Sequence, residues 1–405
     1  MEAASIAEDR TREGRGRKVA YQRTLTQDII SKVWFLSLRG STKRVCPRVT
    51  LPPLPRILPP RMVPRDLYPL SSAEPPFFVG IDLGGTNIKS GVVDNQGQIL
   101  GYAHLESEVE RGPEAGAQRM AQAACEAAEQ AGIALTDAAH VGLVTPGTMD
   151  IASGMLLEPP NLPGWSHFPI RDRVSHHTGL PVAYANDANA AAYGEFWVGS
   201  GAAYSSMVLL TLGTGVGGGI ITDGQLLDGA NSHGGEIGHM IIEAGRDARL
   251  CACGGRGHLE AYCSATGLTA RAIEALQTLP ESERSLLGPE ADLTPLVLHR
   301  AAEAGNVFAE ELILETARYL GTGITTLLHI LDPSAVILGG AMNFGGVDNP
   351  VGKKFLTAIV HEIQTRALPV LSGKLSLHFA SLGGDAGFIG AAGIARLAHA
   401  QHEHQ

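Results

Sequence analysis

Asp82-Leu83-Gly84-Gly85-Thr86-Asn87 stands between two short apolar runs, at residues 77–81 and 88–93. Apolar runs of this length on both sides of a glycine turn predict two paired strands. The predicted structure is therefore a β-hairpin, and it differs from the strand–loop–helix order of a dinucleotide site or a P-loop. From this hairpin we infer the start of an ordered α/β region near Phe77.

The turn of this hairpin offers hydrogen-bond donors and a candidate metal ligand. Gly84 and Gly85 leave their backbone N–H groups open to phosphate oxygens, and Thr86 and Asn87 add side-chain donors. Asp82, at the end of the first strand, can reach Mg²⁺ directly or through a water molecule. An ordinary β-turn with a capping aspartate has the same local sequence, so both interpretations stay open for this motif alone.

The order of strand, glycine turn and strand occurs a second time. The apolar run 207–212 leads into Gly-Thr-Gly-Val-Gly-Gly-Gly at 213–219, which two isoleucines follow. A third glycine pair, Gly339-Gly340, ends another predicted strand, and a fourth cluster at 383–387 opens a predicted C-terminal helix. Glycine turns at successive strand ends predict two related lobes that face each other across a nucleotide.

Composition and charge exclude several classes of protein. Of 405 residues, 44% are hydrophobic and 18% charged, so a wholly disordered chain is excluded. Residues 1–72 carry a net charge of +8 and the remainder −18. An acidic body is poorly suited to nucleic acid, so we expect a cytoplasmic protein with no nucleic-acid partner. We expect no membrane span either, because thirteen residues of the uncharged stretch 196–222 are Gly, Ser or Thr.

Residues 1–76 are expected to form a disordered, basic leader rich in proline. Ten prolines occur among residues 47–76, and this density predicts extended or polyproline-like chain. A true start at Met62 fits the composition equally well. We predict an N-terminal lobe over 77–195 and a C-terminal lobe over 196–385. A last helix, at about 386–398, is expected to pack back on the N-terminal lobe.

Asn186 and Asp187 are the candidate catalytic pair. They follow an apolar strand predicted at 181–185 and precede an alanine-rich helix predicted at 188–198, so one interpretation is a plain helix N-cap. In the other interpretation, Asp187 accepts the proton of a substrate hydroxyl as that hydroxyl attacks phosphorus, and Asn186 holds neighbouring hydroxyls. Upstream, the Asn161 amide lies in an Asn-Leu-Pro-Gly-Trp loop that suits contact with a sugar.

Four residues within a short segment form a candidate zinc site. His239, Cys251, Cys253 and His258 supply two imidazoles and two thiols between residues 239 and 258. Tetrahedral Zn²⁺ prefers this donor set, and four protein ligands indicate a closed structural site. Cys263 is an alternative to His258 as the fourth ligand.

In this order the motifs resemble the ROK family of bacterial sugar kinases and repressors, and most closely its glucokinases. The resemblance rests on the two glycine hairpins, the Asn-Asp pair, Gly-Glu-Ile-Gly-His at 235–239 and Cys-X-Cys-Gly-Gly-X-Gly at 251–257. It runs from about residue 77 to residue 397. It implies the actin-like, ribonuclease H-like fold, in which two α/β lobes are hinged over an interlobe cleft that binds ATP.

The resemblance also implies roles for individual residues. Asp187 is expected to be the catalytic base, and sugar contacts are expected at Asn161, Asn186, Asp187, Glu236, His239 and Glu260. Contacts with Mg-ATP are expected at Asp82, Gly84, Gly85, Thr86, Asn87, Thr214, Gly215, Gly339 and Gly340. Zinc is expected on His239, Cys251, Cys253 and His258. Family members normally carry cysteine at the last of these positions, and imidazole can replace a thiolate on zinc.

The function implied is ATP-dependent phosphorylation of a hexose at its primary hydroxyl, with glucose 6-phosphate as the expected product. A homodimer or homotetramer is expected. Kinases for fructose, mannose, allose or N-acetylmannosamine are alternatives, because sugar contacts differ by small shifts that a sequence does not reveal. A sugar-responsive transcriptional repressor is a further alternative. It is disfavoured because residues 1–76 show no helix-turn-helix pattern and prolines forbid helix over 47–76.

Overall fold

Two five-stranded sheets organise the residues that the computed structural model describes, which are 67–159, 161–277 and 293–403. The first sheet contains β1 (Phe77–Leu83), β2 (Asn87–Val93), β3 (Ile99–Glu106), β4 (Ala138–Thr145) and β7 (Val182–Asn186), and a separate pair contains β5 (Met149–Asp150) and β6 (Met155–Leu156). The second sheet contains β8 (Met207–Leu212), β9 (Val216–Thr222), β10 (Gln225–Leu226), β11 (Ala335–Gly339) and β12 (Ser376–Phe379).

Helices connect and cover these sheets. Those in the described ranges are α1 (Pro113–Ala131), α2 (Ile170–Thr178), α3 (Asp187–Trp197), α4 (Glu260–Cys263), α5 (Ala265–Leu276), α6 (Pro295–Glu303), α7 (Val307–Leu331), α8 (Pro350–Arg366), α9 (Pro369–Ser372) and α10 (Ala386–Glu403). Within these ranges, every helix is too short or too polar to cross a membrane.

The strand order is the same in both sheets, β3-β2-β1-β4-β7 in the first and β10-β9-β8-β11-β12 in the second. In each sheet an antiparallel hairpin carries a third antiparallel strand on one side and two parallel strands on the other. This repeated order confirms the prediction of two related α/β lobes. We call the parts built on the two sheets the first lobe and the second lobe.

The parallel strands of the first lobe bring the candidate residues to one edge. In the register of β1, β4 and β7, Asp82 lies opposite Val144, and Thr145 lies opposite Asn186. All three strands therefore end at the same edge, where Asp187 begins α3. Ligands of α/β sheets bind at the carboxyl ends of the strands. The fold thus places Asp82 and Asp187 where the sequence predicted a site.

The helices α3 and α10 approach each other and the sheets through glycines. A Cβ atom at Gly390 of α10 would lie 1.7 Å from the Ala190 carbonyl oxygen of α3. A Cβ atom at Gly80 of β1 would lie 1.8 Å from the carbonyl oxygen of Phe388 in α10. Such distances leave no room for a side chain. The predicted last helix therefore packs directly on the first sheet, and it continues beyond residue 398 to Glu403.

Residues 67–76 are part of the fold, although the sequence placed them in the leader. The backbone N–H of Tyr68 donates to the Ile99 carbonyl at 2.7 Å, and that of Asn95 donates to the Glu74 carbonyl at 2.9 Å. The predicted leader at 1–66 lies outside the described residues. The lobe boundary at residues 195 and 196 stays a prediction, because α3 lies against β9 of the second sheet as well.

Candidate active site

Asn186 and Asp187 form the junction between β7 and α3. The side-chain oxygen of Asn186 accepts hydrogen bonds from the backbone N–H groups of Ala188 and Asn189, at 2.9 and 3.2 Å. Asn186 is therefore the N-cap of α3. Because the side-chain oxygen of Asn186 accepts these two hydrogen bonds, its side-chain NH₂ group is the part that can contact a substrate hydroxyl.

The environment of Asp187 suits a general base. Burial raises the pKa of its carboxyl to about 7, and the negative charges of Asp82 and Glu236 act in the same direction. A hydrogen bond from the Ala188 N–H, 2.8 Å from Oδ1, opposes this shift. A base accepts a proton most effectively when its pKa lies near the working pH. Carboxylates of both lobes therefore act to raise the pKa of Asp187.

Asp82 lies at the same edge, against the start of α10. Burial raises the pKa of its carboxyl, and the charge of Lys89 opposes that shift. A Cβ atom at Gly387 would lie 2.2 Å from Asp82 Oδ2, so a side chain at this position would displace the Asp82 carboxylate. Lys89 Nζ donates to the Gly384 carbonyl at 2.5 Å. The fourth glycine cluster, at 383–387, therefore contacts the first glycine hairpin.

The first glycine turn lies beside the Asn161 loop. The Gly84 N–H donates to the Asn87 carbonyl at 2.8 Å and closes the turn. A Cβ atom at Gly85 would lie 3.3 Å from the Asn161 carbonyl oxygen. The side chain of Thr86 is exposed. A candidate phosphate site and a candidate sugar contact are therefore neighbours in the first lobe.

The second glycine turn is supported by side chains rather than by a neighbouring loop. Glu260 Oε2 accepts a hydrogen bond from the Val216 N–H at 2.9 Å, and Thr266 Oγ1 donates to the Thr214 carbonyl at 3.0 Å. A Cβ atom at Gly215 would lie 2.4 Å from Glu260 Oε2. Glu260, predicted to contact sugar, therefore also holds the turn predicted to contact phosphate.

Gly339 and Gly340 lie next to this second turn. Gly339 pairs with Thr211 in the parallel register of β11 and β8. Gly340 has φ +87°, and a Cβ atom there would lie 2.3 Å from the Leu212 carbonyl oxygen. Both the backbone angle and the close approach require glycine at this position. The third glycine pair of the sequence thus belongs to the same edge of the second sheet.

Glu236 and His239 lie on a short segment of the second lobe. A three-residue 3₁₀ helix, Ile237–His239, carries His239, which was expected to contact both sugar and zinc. His239 Nε2 lies 3.8 Å from Glu236 Oε2. The side chain of Glu236 is half exposed and lies close enough to raise the pKa of Asp187. These contacts leave the Glu236 carboxylate accessible to a sugar.

The four predicted zinc ligands form one cluster. One nitrogen or sulfur atom from each of His239, Cys251, Cys253 and His258 lies within 4.8 Å of the others. Cys253 Sγ is 3.2 Å from His258 Nδ1, and Cys251 Sγ is 3.9 Å from His239 Nδ1. Ligands around tetrahedral zinc are separated by about 3.3 to 3.8 Å, as bonds of 2.0 to 2.3 Å require. The donor set and its spacing therefore fit a zinc ion.

Cys263 is not part of this cluster, so the alternative of Cys263 in place of His258 is wrong. Its side chain is fully buried, and its Sγ donates to the Thr316 carbonyl at 3.6 Å. Burial in this apolar environment raises the pKa of the thiol well above its usual range. Cys263 is the last residue of α4, and Glu260 is the first.

A family model described as the ROK family matches residues 78–398. The chain belongs to the ROK family. It is 34% identical over 317 residues to a glucokinase of Halalkalibacterium halodurans, covering 78% of this chain and 93% of that protein. A xylose repressor of Caldicellulosiruptor bescii is 36% identical over 207 residues, which is 51% of each chain.

Solved structures of ROK proteins share the fold. A ROK hexokinase from Thermus thermophilus is 35% identical, with a TM-score of 0.68 over 80% of this chain and 100% of that one. A ROK family glucokinase from Streptomyces griseus, in complex with glucose and AMPPNP, is 32% identical, with a TM-score of 0.64 over 80% of this chain and 100% of that one. These likenesses confirm the actin-like, two-lobed fold.

Two contacts of this ROK protein were missed by the sequence reasoning. The first is the hydrogen bond from Lys89 Nζ to the Gly384 carbonyl. Lys89 follows Asn87 by two residues on β2, so the alternation of side chains along a strand could have placed Lys89 on the same face as Asn87, a residue already assigned to the site. Ser232 accepts a hydrogen bond from the Ile151 N–H at 3.0 Å and so joins the second lobe to the chain beside β5. This second contact is set by tertiary packing, and the sequence contains no pattern that predicts it.

Proposed function

We propose that this protein is a glucokinase that transfers the terminal phosphoryl group of ATP to the primary hydroxyl of glucose. The coarser class, an ATP-dependent sugar kinase, follows from its place among ROK kinases. The observation that carries the proposal is Asp187, a carboxyl whose pKa is raised to about 7, at the strand edge beside the glycine turns. A base of this kind suits a hydroxyl that becomes acidic only as it attacks phosphorus.

In the proposed reaction, the substrate hydroxyl lies between Asp187 and the terminal phosphorus. The new O–P bond forms as the bond between that phosphorus and the ADP oxygen breaks, and the hydroxyl proton passes to Asp187. The Gly85 N–H and the side chains of Thr86 and Thr214 are proposed to hold the phosphates. The Gly84 N–H, which the sequence also suggested for this role, is engaged with the Asn87 carbonyl. Positioning and charge stabilisation supply most of the rate in phosphoryl transfer.

Asp82 is the proposed anchor for Mg²⁺. Its carboxylate is the hard oxygen donor that Mg²⁺ prefers, and burial has raised its pKa, so a nearby cation would stabilise the charged form. When bound, Mg²⁺ neutralises charge on the phosphates. Asp82 would hold the Mg²⁺ ion at the end of β1, and Gly387 leaves space for the Asp82 carboxylate.

Zinc is the proposed ligand of the four-residue cluster. Burial raises the pKa of the Cys251 thiol to about 11, so a thiolate there needs a cation. Cys251 Sγ also lies 3.4 Å from Glu260 Oε1, which connects the cluster to a proposed sugar contact. The proposed role is structural: His239, Cys251, Cys253 and His258 would fix the segment that carries the sugar-binding carboxylates.

The sugar itself is proposed from the sequence identity to glucokinases and from the proposed sugar contacts. Asn161, Asn186 and Asp187 would contact the sugar from the first lobe, whereas Glu236, His239 and Glu260 would do so from the second. The test is kcat/KM measured over a panel of glucose, fructose, mannose, allose and N-acetylmannosamine. Highest kcat/KM with glucose supports the proposal, and a preference for another hexose would leave the kinase class standing and overturn glucose.

One other sugar has specific support. N-acetylmannosamine kinases are among the relatives, at 31% identity over 65% of this chain, so this sugar is the second candidate in the panel. A repressor is not proposed, because the pair Asn186–Asp187 at the strand edge, with the raised pKa of Asp187, supports catalysis. We further propose a cytoplasmic homodimer or homotetramer, which size-exclusion chromatography with light scattering would test.

A further inference from the structure

Glu195 is a fully buried carboxylate in the last turn of α3. Its Oε1 accepts hydrogen bonds from the backbone N–H groups of Ser381 and Leu382, at 2.9 and 2.7 Å. Its Oε2 accepts from the Ser200 N–H at 2.8 Å and from the Ser381 hydroxyl at 3.2 Å. Four donors therefore converge on one side chain, and the proposed catalytic and zinc-binding residues do not include it.

The donors belong to the two chain segments that connect the lobes. Residues 198–206 lead from α3 to β8, and residues 380–385 lead from β12 to α10, which packs on the first sheet. We call these segments the two crossings. Ser200 lies in the first crossing, and Ser381 and Leu382 lie in the second. One carboxylate thus binds both connections between the first and the second lobe.

The surroundings of Glu195 are shaped around its carboxylate. A Cβ atom at Gly199 would lie 2.2 Å from Glu195 Oε2, so the first crossing approaches the carboxylate too closely for any side chain. The Gly201 N–H donates to the Glu195 carbonyl at 2.8 Å. The Ser200 hydroxyl donates to the Phe379 carbonyl at 2.9 Å, a direct contact between the first crossing and the end of β12. The crossings are therefore joined at several points.

We propose that Glu195 is a positioning residue that holds the two crossings together, so that they bend as one hinge when the lobes close. This inference rests on the proposed function, because the proposed sugar and phosphate contacts are divided between the lobes. Asp187 and Thr86 lie in the first lobe, whereas Glu236 and Thr214 lie in the second. Glu195 and Asp187 share the helix α3, so the hinge and the proposed base move as one rigid element.

The first test is the variant Glu195→Gln. It keeps the size of the side chain but turns one acceptor oxygen into an NH₂ group, which must then face at least one backbone N–H donor. We expect kcat to fall at least tenfold, because the closed arrangement becomes less populated. We also expect faster amide hydrogen exchange in peptides that cover residues 199–201 and 380–382. Small-angle scattering should show that hexose with a non-hydrolysable ATP analogue no longer compacts the variant as it does the wild type.

A second, milder variant keeps the proposal testable if Glu195→Gln does not fold. Ser381→Ala removes only the hydroxyl donor at 3.2 Å and leaves three backbone donors in place, so we expect a twofold to fivefold loss of kcat with the same direction in exchange. The matched control is Thr316→Val in α7, a fully buried residue that bonds with Arg271 and the Leu312 carbonyl, away from the crossings. It should lower the melting temperature and leave kcat and compaction unchanged.

The outcomes separate this inference from the proposed function. Glu195→Gln with wild-type kcat and wild-type compaction would overturn the hinge role. If Thr316→Val reproduced the losses, general destabilisation would explain them, and the hinge role would again be overturned. If the wild type phosphorylated no hexose of the panel, the proposed function would fail, whereas exchange and compaction measured with nucleotide would still test Glu195.

Discussion

The two glycine turns occupy equivalent places in their sheets, yet the strand ends beside them differ in charge. In the first lobe, the next-to-last residue of the strand before the turn is Asp82, which lies against Gly387 and near Lys89. In the second lobe, the equivalent strand presents Thr211, which lies against Gly217. The same topology therefore offers a carboxylate on one side of the cleft and a hydroxyl on the other. We infer that the first lobe supplies the carboxylates for cation and proton besides its phosphate contacts, whereas the second turn contacts phosphate without a carboxylate at its strand end.

The largest effect is expected from Asp187→Asn. The variant keeps the size and the N-terminal place in α3 but cannot accept the hydroxyl proton, so kcat should fall by about 10²- to 10⁴-fold. Binding of glucose and ATP, measured by calorimetry, should persist. The exposed Asp172→Asn serves as the matched control, with unchanged kcat. Near-normal turnover of Asp187→Asn in a coupled assay would show that Asp187 is not the base.

The comparison of the two strand ends is tested directly by Asp82→Asn and Thr211→Val. Loss of the Asp82 carboxylate should lower kcat about a hundredfold and raise the Mg²⁺ concentration needed for half-maximal rate. Thr211→Val should change kcat only a few-fold and leave the Mg²⁺ requirement as it is. Equal Mg²⁺ requirements in the two variants would mean that the lobes share the cation, contrary to our interpretation.

The pH dependence of the rate should follow Asp187. Its carboxyl must be deprotonated to accept a proton, and burial with two neighbouring carboxylates raises its pKa to about 7. Below that value, kcat/KM should therefore fall about tenfold per pH unit, and above it the rate should level off. The Asp82→Asn variant removes one of the charges that raise this pKa, so its profile should shift to lower pH. An unshifted profile would place Asp82 and Asp187 in separate electrostatic environments.

The smallest effect concerns the proposed zinc site, which lies on the side of the second turn. Removal of the metal, or Cys253→Ala, should raise the KM for sugar several-fold, because Glu260, a proposed sugar contact, lies 3.4 Å from Cys251 Sγ of the cluster. The KM for ATP should change less. Cys125→Ala, at an exposed cysteine of α1, is the control. Protein with clearly less than one zinc per chain, and yet full sugar affinity, would contradict the structural role.

The sequence predicted what is local and periodic. The hairpins, the cap at Asn186 and the four clustered ligands around residues 239–258 could be read from short patterns, and the structure has them. It could not show that Glu260 supports the second turn, that Cys263 points into the core, or that Glu195 binds both crossings. Those contacts join residues far apart in the chain, for example Glu195 and Ser381, and only packing of the lobes brings them together.

The packing of α10 on β1 has a consequence for how the protein is made on the ribosome. The groove between Gly80 and Gly142 that receives this helix is synthesised early, whereas α10 emerges about 200 residues after β7 is complete. At about 5 to 20 residues per second, nascent chains wait roughly 10 to 40 s with that groove uncovered. During this interval an apolar face of the first sheet is open to chaperones, and folding of the first lobe is completed by a helix that is translated about 200 residues after the last strand of its sheet.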